Sequence, residues 1–217
     1  MAACAAWLAL PAGLAAQPFS FGVKGGVPAT TAIEGSFGVR SEARRYAVGP
    51  TVEFRLPRSF AVEVDALYRR TGYSTTDTAF GITTAARIRA NVWEFPILAK
   101  HTLPGRGLPV RPSVAAGYVV RRASGVKETV HTFGRNPVTG EPVDTTDRLD
   151  TRFVTRDNPT NGVTVGGGAN LRAGPLRIAP ELRYTRWLGR LFDEQGSRGF
   201  FVRSASNQVD VLVGVTF

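Results

Sequence analysis

Sulfur and imidazole are nearly absent from this chain: one cysteine and two histidines occur in 217 residues. The cysteine, Cys4, falls in an N-terminal stretch that reads as a leader, so the mature chain is expected to carry no thiol. That excludes disulfides and thiol catalysis. No His/Cys/Asp/Glu spacing resembles a zinc site. Beyond the leader there is no run of about 18 apolar residues, which excludes a helical membrane span. Acidic residues are few, with Asp+Glu 17 against Lys+Arg 27 and a formal charge of +10. That surplus suits an anionic partner: nucleic acid, anionic lipid or an acidic polysaccharide. An apolar content of 43% is too high for a disordered chain.

Residues 1–17 read MAACAAWLALPAGLAAQ. The apolar stretch from Ala2 to Leu14, ending in small residues, resembles the core and cleavage site of a secretory signal peptide. A basic start is missing. Cleavage is expected near Ala15 to Gln17, and Cys4 lies too early to be a lipoprotein acylation site. The competing reading, a buried N-terminal helix, is disfavoured by the short length. Export without disulfides fits a bacterial outer-membrane or periplasmic protein.

Residues 18–217 alternate with a period of two, which lines side chains up on a strand and scatters them around a helix. The last segment places Val209, Val211, Val213, Val215 and Phe217 on one face, and Gln208, Asp210, Leu212, Gly214 and Thr216 on the other. Seven more strands are expected around 19–27, 46–56, 60–70, 87–103, 110–121, 163–172 and 176–187. Pro50, Pro96, Pro112 and Pro180 fall inside them, where bulges are expected. Connections near 57–59, 104–109 and 173–175 are short, whereas 29–45, 72–86, 122–161 and 189–207 read as long loops. Short turns on one side and long loops on the other give an all-β, eight-stranded antiparallel up-and-down transmembrane barrel with periplasmic turns and extracellular loops.

Volume decides which face meets lipid. Eight strands leave an interior that side chains just fill, and the apolar set is too bulky for it. Aromatic placement agrees. Phe19, Phe21, Phe54, Phe60 and Phe217 fall at the short-turn side; Tyr46, Tyr68, Tyr118, Tyr184 and Trp187 fall near the long loops. Two aromatic girdles around an aliphatic band form a lipid-facing pattern; Trp93 and Phe95 sit between them.

These residues resemble the bacterial outer-membrane β-barrel domain family, of the small OmpA/OmpX-like type, over 18–217. The C-terminal strand, with Val209 to Val215 and Phe217, is similar to the family's insertion signal. Phe21-Gly-Val-Lys-Gly-Gly26, Glu94-Phe95-Pro96 and Glu181-Leu-Arg-Tyr184 also look family-like. The resemblance implies an integral outer-membrane monomer with an envelope or surface-interaction role. Its partners would be the bilayer, the outer-membrane insertion machinery and lipopolysaccharide, with no nucleic acid. No peptidoglycan-binding domain is expected.

Candidate chemistry is thin, and no catalytic, cofactor or metal residue is assigned. Some small outer-membrane barrels modify lipid A with Ser/His sets, but no serine is placed to pair with His131, and His101 reads as an interfacial residue. A soluble ligand-holding barrel is the other alternative. Gly166-Gly-Gly168 lacks the lysine and helix of a phosphate loop and reads as close packing. Asp144, Asp147 and Asp150 lack the glycine and closing glutamate of a calcium loop. The inward charges say more. Lys24, Arg55, Arg69, Lys100, Arg111, Arg121, Arg172, Arg177 and Arg183 face Glu53, Glu63, Asp65, Glu94, Glu181 and Asp210. Buried charges must be paired, so an ion-pair network filling the lumen is expected. Arg55 should meet Glu63, and Asp210 should meet Arg183 or Lys24. Arg44, Arg45, Arg70, Arg121, Arg122 and Arg190 are expected at the long-loop rim, where they could bind lipopolysaccharide phosphates.

Overall fold

The computed structural model describes residues 19–104, 110–150, 155–195 and 201–217. The expected leader and the turn at 105–109 lie outside the described residues. Among the described residues, no helix is long and apolar enough to cross a membrane. The strands are β1 (Phe19–Pro28), β2 (Ile33–Gly35), β3 (Val39–Ser41), β4 (Ala47–Arg55), β5 (Phe60–Asp65), β6 (Leu67–Ala79) and β7 (Ile82–Thr102), followed by β8 (Val110–Arg135), β9 (Pro142–Asp150), β10 (Thr160–Ala173), β11 (Leu176–Trp187), β12 (Asp193–Gln195), β13 (Phe201–Ser204) and β14 (Asn207–Thr216).

The pairings are antiparallel. From β1 the ladders run through β4, β5, β7, β8, β10, β11 and β14, and β14 pairs with β1 again. β5 and β6 are one course broken at Ala66, opposite Pro50. The Ala66 N–H donates to the Pro50 carbonyl at 3.0 Å, but proline has no N–H to return.

The bulges expected at the prolines are not there. Val23 stays opposite Pro50, Val119 opposite Pro96, Ala169 opposite Pro112 and Val213 opposite Pro180, with the flanking pairs at the same offset. Each proline loses one donor while its carbonyl remains usable; Leu103 donates to the Pro112 carbonyl at 2.8 Å. The register shifts instead between Arg89 and Asn91 of β7. There the facing strand β8 carries Gly125 at φ +57°, the left-handed conformation that lets one strand hold an extra residue.

All four expected long loops contain strand: 29–45 holds β2 and β3, 189–207 holds β12 and β13, and two are strand over much of their length. Segment 72–86 is the outer part of the β6–β7 hairpin, turning at Phe80-Gly81 with both φ positive, the geometry that matches strand twist. Much of 122–161 is the β8–β9 ribbon. A membrane-spanning strand needs about 9–11 residues. β7 has 21 and β8 has 26, so these ribbons project well past such a span. Their β-branched Thr and Val residues carry the pairing outward.

Alternation sorts the residues onto two faces. Phe21, Val23, Val48, Phe54, Ile97, Val114, Val165, Leu182, Val211 and Val213 are exposed on the outer one. Ser20, Lys24, Thr51, Glu63, Asp65, Arg69, Glu94, Lys100, Arg183 and Asp210 are buried on the inner one. A soluble, ligand-holding barrel would need the reverse. At the long-loop end a small second sheet, β12–β13–β2, packs over an apolar cluster of Ile33, Tyr73, Ile88, Ala90, Val92, Ala123, Leu191, Phe192 and Val202.

Candidate functional site

The inner face carries two charge clusters. In the first, five strands each contribute. Glu53 of β4 and Glu63 of β5 are directly opposite in register. Like charges so placed repel, and Lys100 of β7 lies between them, 3.2 Å from Glu53 and 3.0 Å from Glu63. Lys24 of β1 pairs with Glu63, with Asp65 at 3.2 Å and with Glu181 of β11 at 3.0 Å. Arg183 uses its whole fork: 2.7 Å to Glu181, 2.9 Å to Asp65 and 3.1 Å to Glu63. The Thr51 hydroxyl donates to Asp65 at 2.6 Å.

The second cluster lies nearer the long loops. Arg69 reaches Glu94 at 2.9 Å and Asp210 at 3.2 Å. Gln208 donates to Asp210 at 2.7 Å. Along β5 and β6 the inward positions run Glu63, Asp65, Leu67, Arg69, and Leu67 packs with Ala47 and Leu212 in a small apolar patch. Neighbouring charges are therefore separated by a layer that excludes water, which strengthens each pair.

Several expected partners differ. Arg55 lies 3.6 Å from Glu53, not on Glu63. Asp210 is in register with Arg183, yet it pairs with Arg69 across the interior, because three other carboxylates already hold Arg183. Arg177 reaches Glu53 at 3.2 Å. Arg111 and Arg172 are exposed and, among the described residues, have no carboxylate partner. Their phase is inward, but they stand at the short-turn mouth where water solvates them.

Trp187 does not belong to the outer girdle. It is 3% exposed, its indole N–H donates to Gln208 at 3.1 Å, and the Arg121 guanidinium stacks on its ring at 4.0 Å. Tyr184 faces out, so a residue three positions on must face in. Arg121 is likewise buried beneath that ring and is not a rim residue. Arg44, Arg45, Arg70 and Arg122 are exposed; Arg190 bonds Asp193 at 3.3 Å.

Phe19, Phe21, Tyr46, Phe54, Phe60, Tyr118, Tyr184 and Phe217 are exposed on the outer face. Tyr68 is half-buried because Tyr46 lies 6.4 Å to one side and Trp93 5.3 Å to the other. Trp93 stacks on Phe95 at 6.3 Å, so the two residues outside either girdle extend a single aromatic row. Val209, Val211, Val213 and Val215 share the outer face of β14, and the Phe217 ring lies 6.1 Å from Phe21.

The apolar cap was not legible as a unit. Tyr73 and Phe192 meet edge to face at 5.7 Å. The Ser204 hydroxyl accepts from the backbone of Leu191 at 2.9 Å, and the Asn158 amide bridges the Ala123 N–H and carbonyl at 3.0 Å each. Burial, aided by the Glu194 carboxylate, pushes the Tyr73 phenol up.

The histidines are apart. His131 Nε2 lies 2.9 Å from Asp144 on the exposed β8–β9 ribbon, and His101 packs against Phe60 at 4.5 Å. Neither has a serine hydroxyl as partner among the described residues. Asp147 stands apart from that pair, and the Asp150 side chain lies outside the described residues. In the glycine run, a Cβ on Gly166 would sit 2.8 Å from the Glu181 carboxylate, and one on Gly168 would sit 2.3 Å from the Pro180 carbonyl. Their missing side chains leave room for the charge cluster and the neighbouring strand.

Residues 15–193 match the family model described as outer membrane protein beta-barrel domain. No curated protein matches the chain. Among solved structures it is similar to Neisserial surface protein A (NspA), with 14% identity over 92% of this chain and 97% of that one and a TM-score of 0.44. It is similar to OprG from Pseudomonas aeruginosa, with 12% identity over 92% and 94% and a TM-score of 0.49. It is also similar to Ail, the attachment invasion locus protein of Yersinia pestis, with 9% identity over 92% and 99% and a TM-score of 0.32.

Proposed function

We propose that this chain, which belongs to the outer membrane protein beta-barrel domain family and resides in the outer membrane, crosses it as a monomeric eight-stranded barrel with an envelope or surface-interaction role. Residues 1–17 would be the signal peptide that exports it, and Val209 to Phe217 the segment read by the insertion machinery. The carrying observation is the inversion of the two faces. Apolar side chains ring the outside and charges lie inside a ladder cycle that returns to β1. Only a hydrocarbon surround makes that order favourable.

The ion pairs would plug the lumen, and the apolar cap would close its long-loop end, leaving the projecting β6–β7 and β8–β9 ribbons as the surface available to partners. Arg44, Arg45, Arg70 and Arg122 at the rim would meet lipopolysaccharide phosphates. The test is cell fractionation with heat-dependent gel migration, followed by planar-bilayer recording. The mature protein is expected in the outer-membrane fraction, with faster migration before boiling and little conductance. Recovery as a soluble periplasmic species, or a large and stable porin-like conductance, would overturn the reading.

A further inference from the structure

At the short-turn end the inner face opens into a cavity of about 330 Å³. Arg55, Arg111, Arg172 and Arg177 line it, with Glu53 and Asn170. These residues come from β4, β8, β10 and β11, so the cavity is built by the sheet and not by one loop. Arg172 and Arg177 are directly opposite in register, and Arg111 faces Asn170. Like charges directly opposite destabilise a sheet.

Among the described residues, the one carboxylate in the lining is already taken. Glu53 Oε1 accepts from Arg177 at 3.2 Å and lies 3.6 Å from Arg55, while Oε2 lies 3.2 Å from Lys100. Arg111 and Arg172 therefore face the cavity without an anion among the described residues. Deeper on the inner face Lys24, Arg69, Lys100 and Arg183 each reach at least two carboxylates; Arg111 and Arg172 reach none among the described residues.

We infer that this vestibule binds a phosphate-type oxyanion. Guanidinium forks match the paired oxygens of such a group. A cavity this size admits more than a single inorganic phosphate, which points to a diphosphate or a phosphate carrying a small organic group. A soluble phosphorylated compound and a phospholipid headgroup present the same oxygens. The inference depends on the geometry of the mouth and not on the plugged lumen or on which way the chain faces.

The test uses the full mature chain in a maltoside detergent, with pyrophosphate as the probe in titration calorimetry. A second arm measures retention of phosphatidylglycerol by native mass spectrometry. Arg172→Gln/Arg177→Gln is expected to weaken binding at least about tenfold, the loss of one or two charge-assisted hydrogen bonds. Arg44→Gln/Arg45→Gln at the opposite end should leave it unchanged. The double variant loses the Arg177–Glu53 pair but is relieved of the Arg172–Arg177 repulsion, and Glu53 keeps Lys100 at 3.2 Å, so its heat stability without ligand should stay close to that of the wild type. If it fails to fold, Arg111→Gln, whose exposed side chain holds no partner, serves in its place. Binding of pyrophosphate that is lost in the variant supports a soluble ligand; retention of phosphatidylglycerol alone, lost in the variant, supports a headgroup. No binding of either, or binding equal in wild type and vestibule variant, overturns the inference.

Discussion

Arg183 and Phe192 are near neighbours in the chain and both are buried, yet opposite chemistry holds them. Arg183 sits among three carboxylates drawn from β5 and β11. Phe192 sits in an apolar cluster assembled from β2, β6, β7, β8, β13 and the chain before β12. The interior cannot relax around a lost charge, because its partners are fixed on strands of a continuous ladder, Glu63 and Asp65 on β5 and Glu181 on β11. The cap can, because a three-stranded sheet of short strands can part from the ribbons without breaking that ladder. Rigidity therefore belongs to the charged region and adaptability to the apolar one.

The sharpest way to break this contrast is Arg183→Ala. It leaves Glu63, Asp65 and Glu181 short of a cation in a buried site, which costs about 3–5 kcal/mol. A fall of that size in the urea unfolding free energy of lipid-embedded protein is expected, and, if the ion pairs plug the lumen as proposed, a higher bilayer conductance with it. An unchanged midpoint would mean that water already solvates these carboxylates.

Phe192→Ala comes next. Removing a buried phenylalanine costs about 3 kcal/mol or somewhat more, but the loss should stay local. Limited proteolysis is expected to cut near 189–207 faster, while heat-dependent gel migration stays as in the wild type. A matching loss of global stability would show that cap and interior unfold together.

The smallest effect is expected from Glu34→Gln. The Arg203–Glu34 pair at 2.9 Å joins β2 to β13 but is exposed, and such pairs contribute about 0–1 kcal/mol. Protease sensitivity of the cap should barely move, and what change there is should vanish at high salt. A large effect would make the cap electrostatic rather than apolar.

Much of the molecule could be read without coordinates, and the failures are instructive. Strand phase was plain wherever large apolar residues alternate with charges, as in Phe60 to Asp65 and Gln208 to Phe217. It failed at Trp187, where an aromatic was assigned to the outer girdle by kind and not by position. The ribbons at 72–86 and 122–161 read as loops because their threonines and charges give no apolar stripe. The signal the sequence carries there is Gly81 between Thr75-Thr76 and Thr83-Thr84; the positive φ of Phe80 and Gly81 is a property of the fold.

By itself the sequence determined the period, the identity of the two faces and the residues whose charges must be compensated, because all three follow from spacing along one strand and from the cost of burying charge. Which cation meets which carboxylate was decided only by tertiary structure. Lys24 and Glu181 are 157 positions apart, and Arg69 and Asp210 are 141 apart. Their pairing depends on curvature that carries side chains across the interior past intervening strands. Local pattern fixes which way a side chain points; the width and stagger of the folded sheet fix what it finds there.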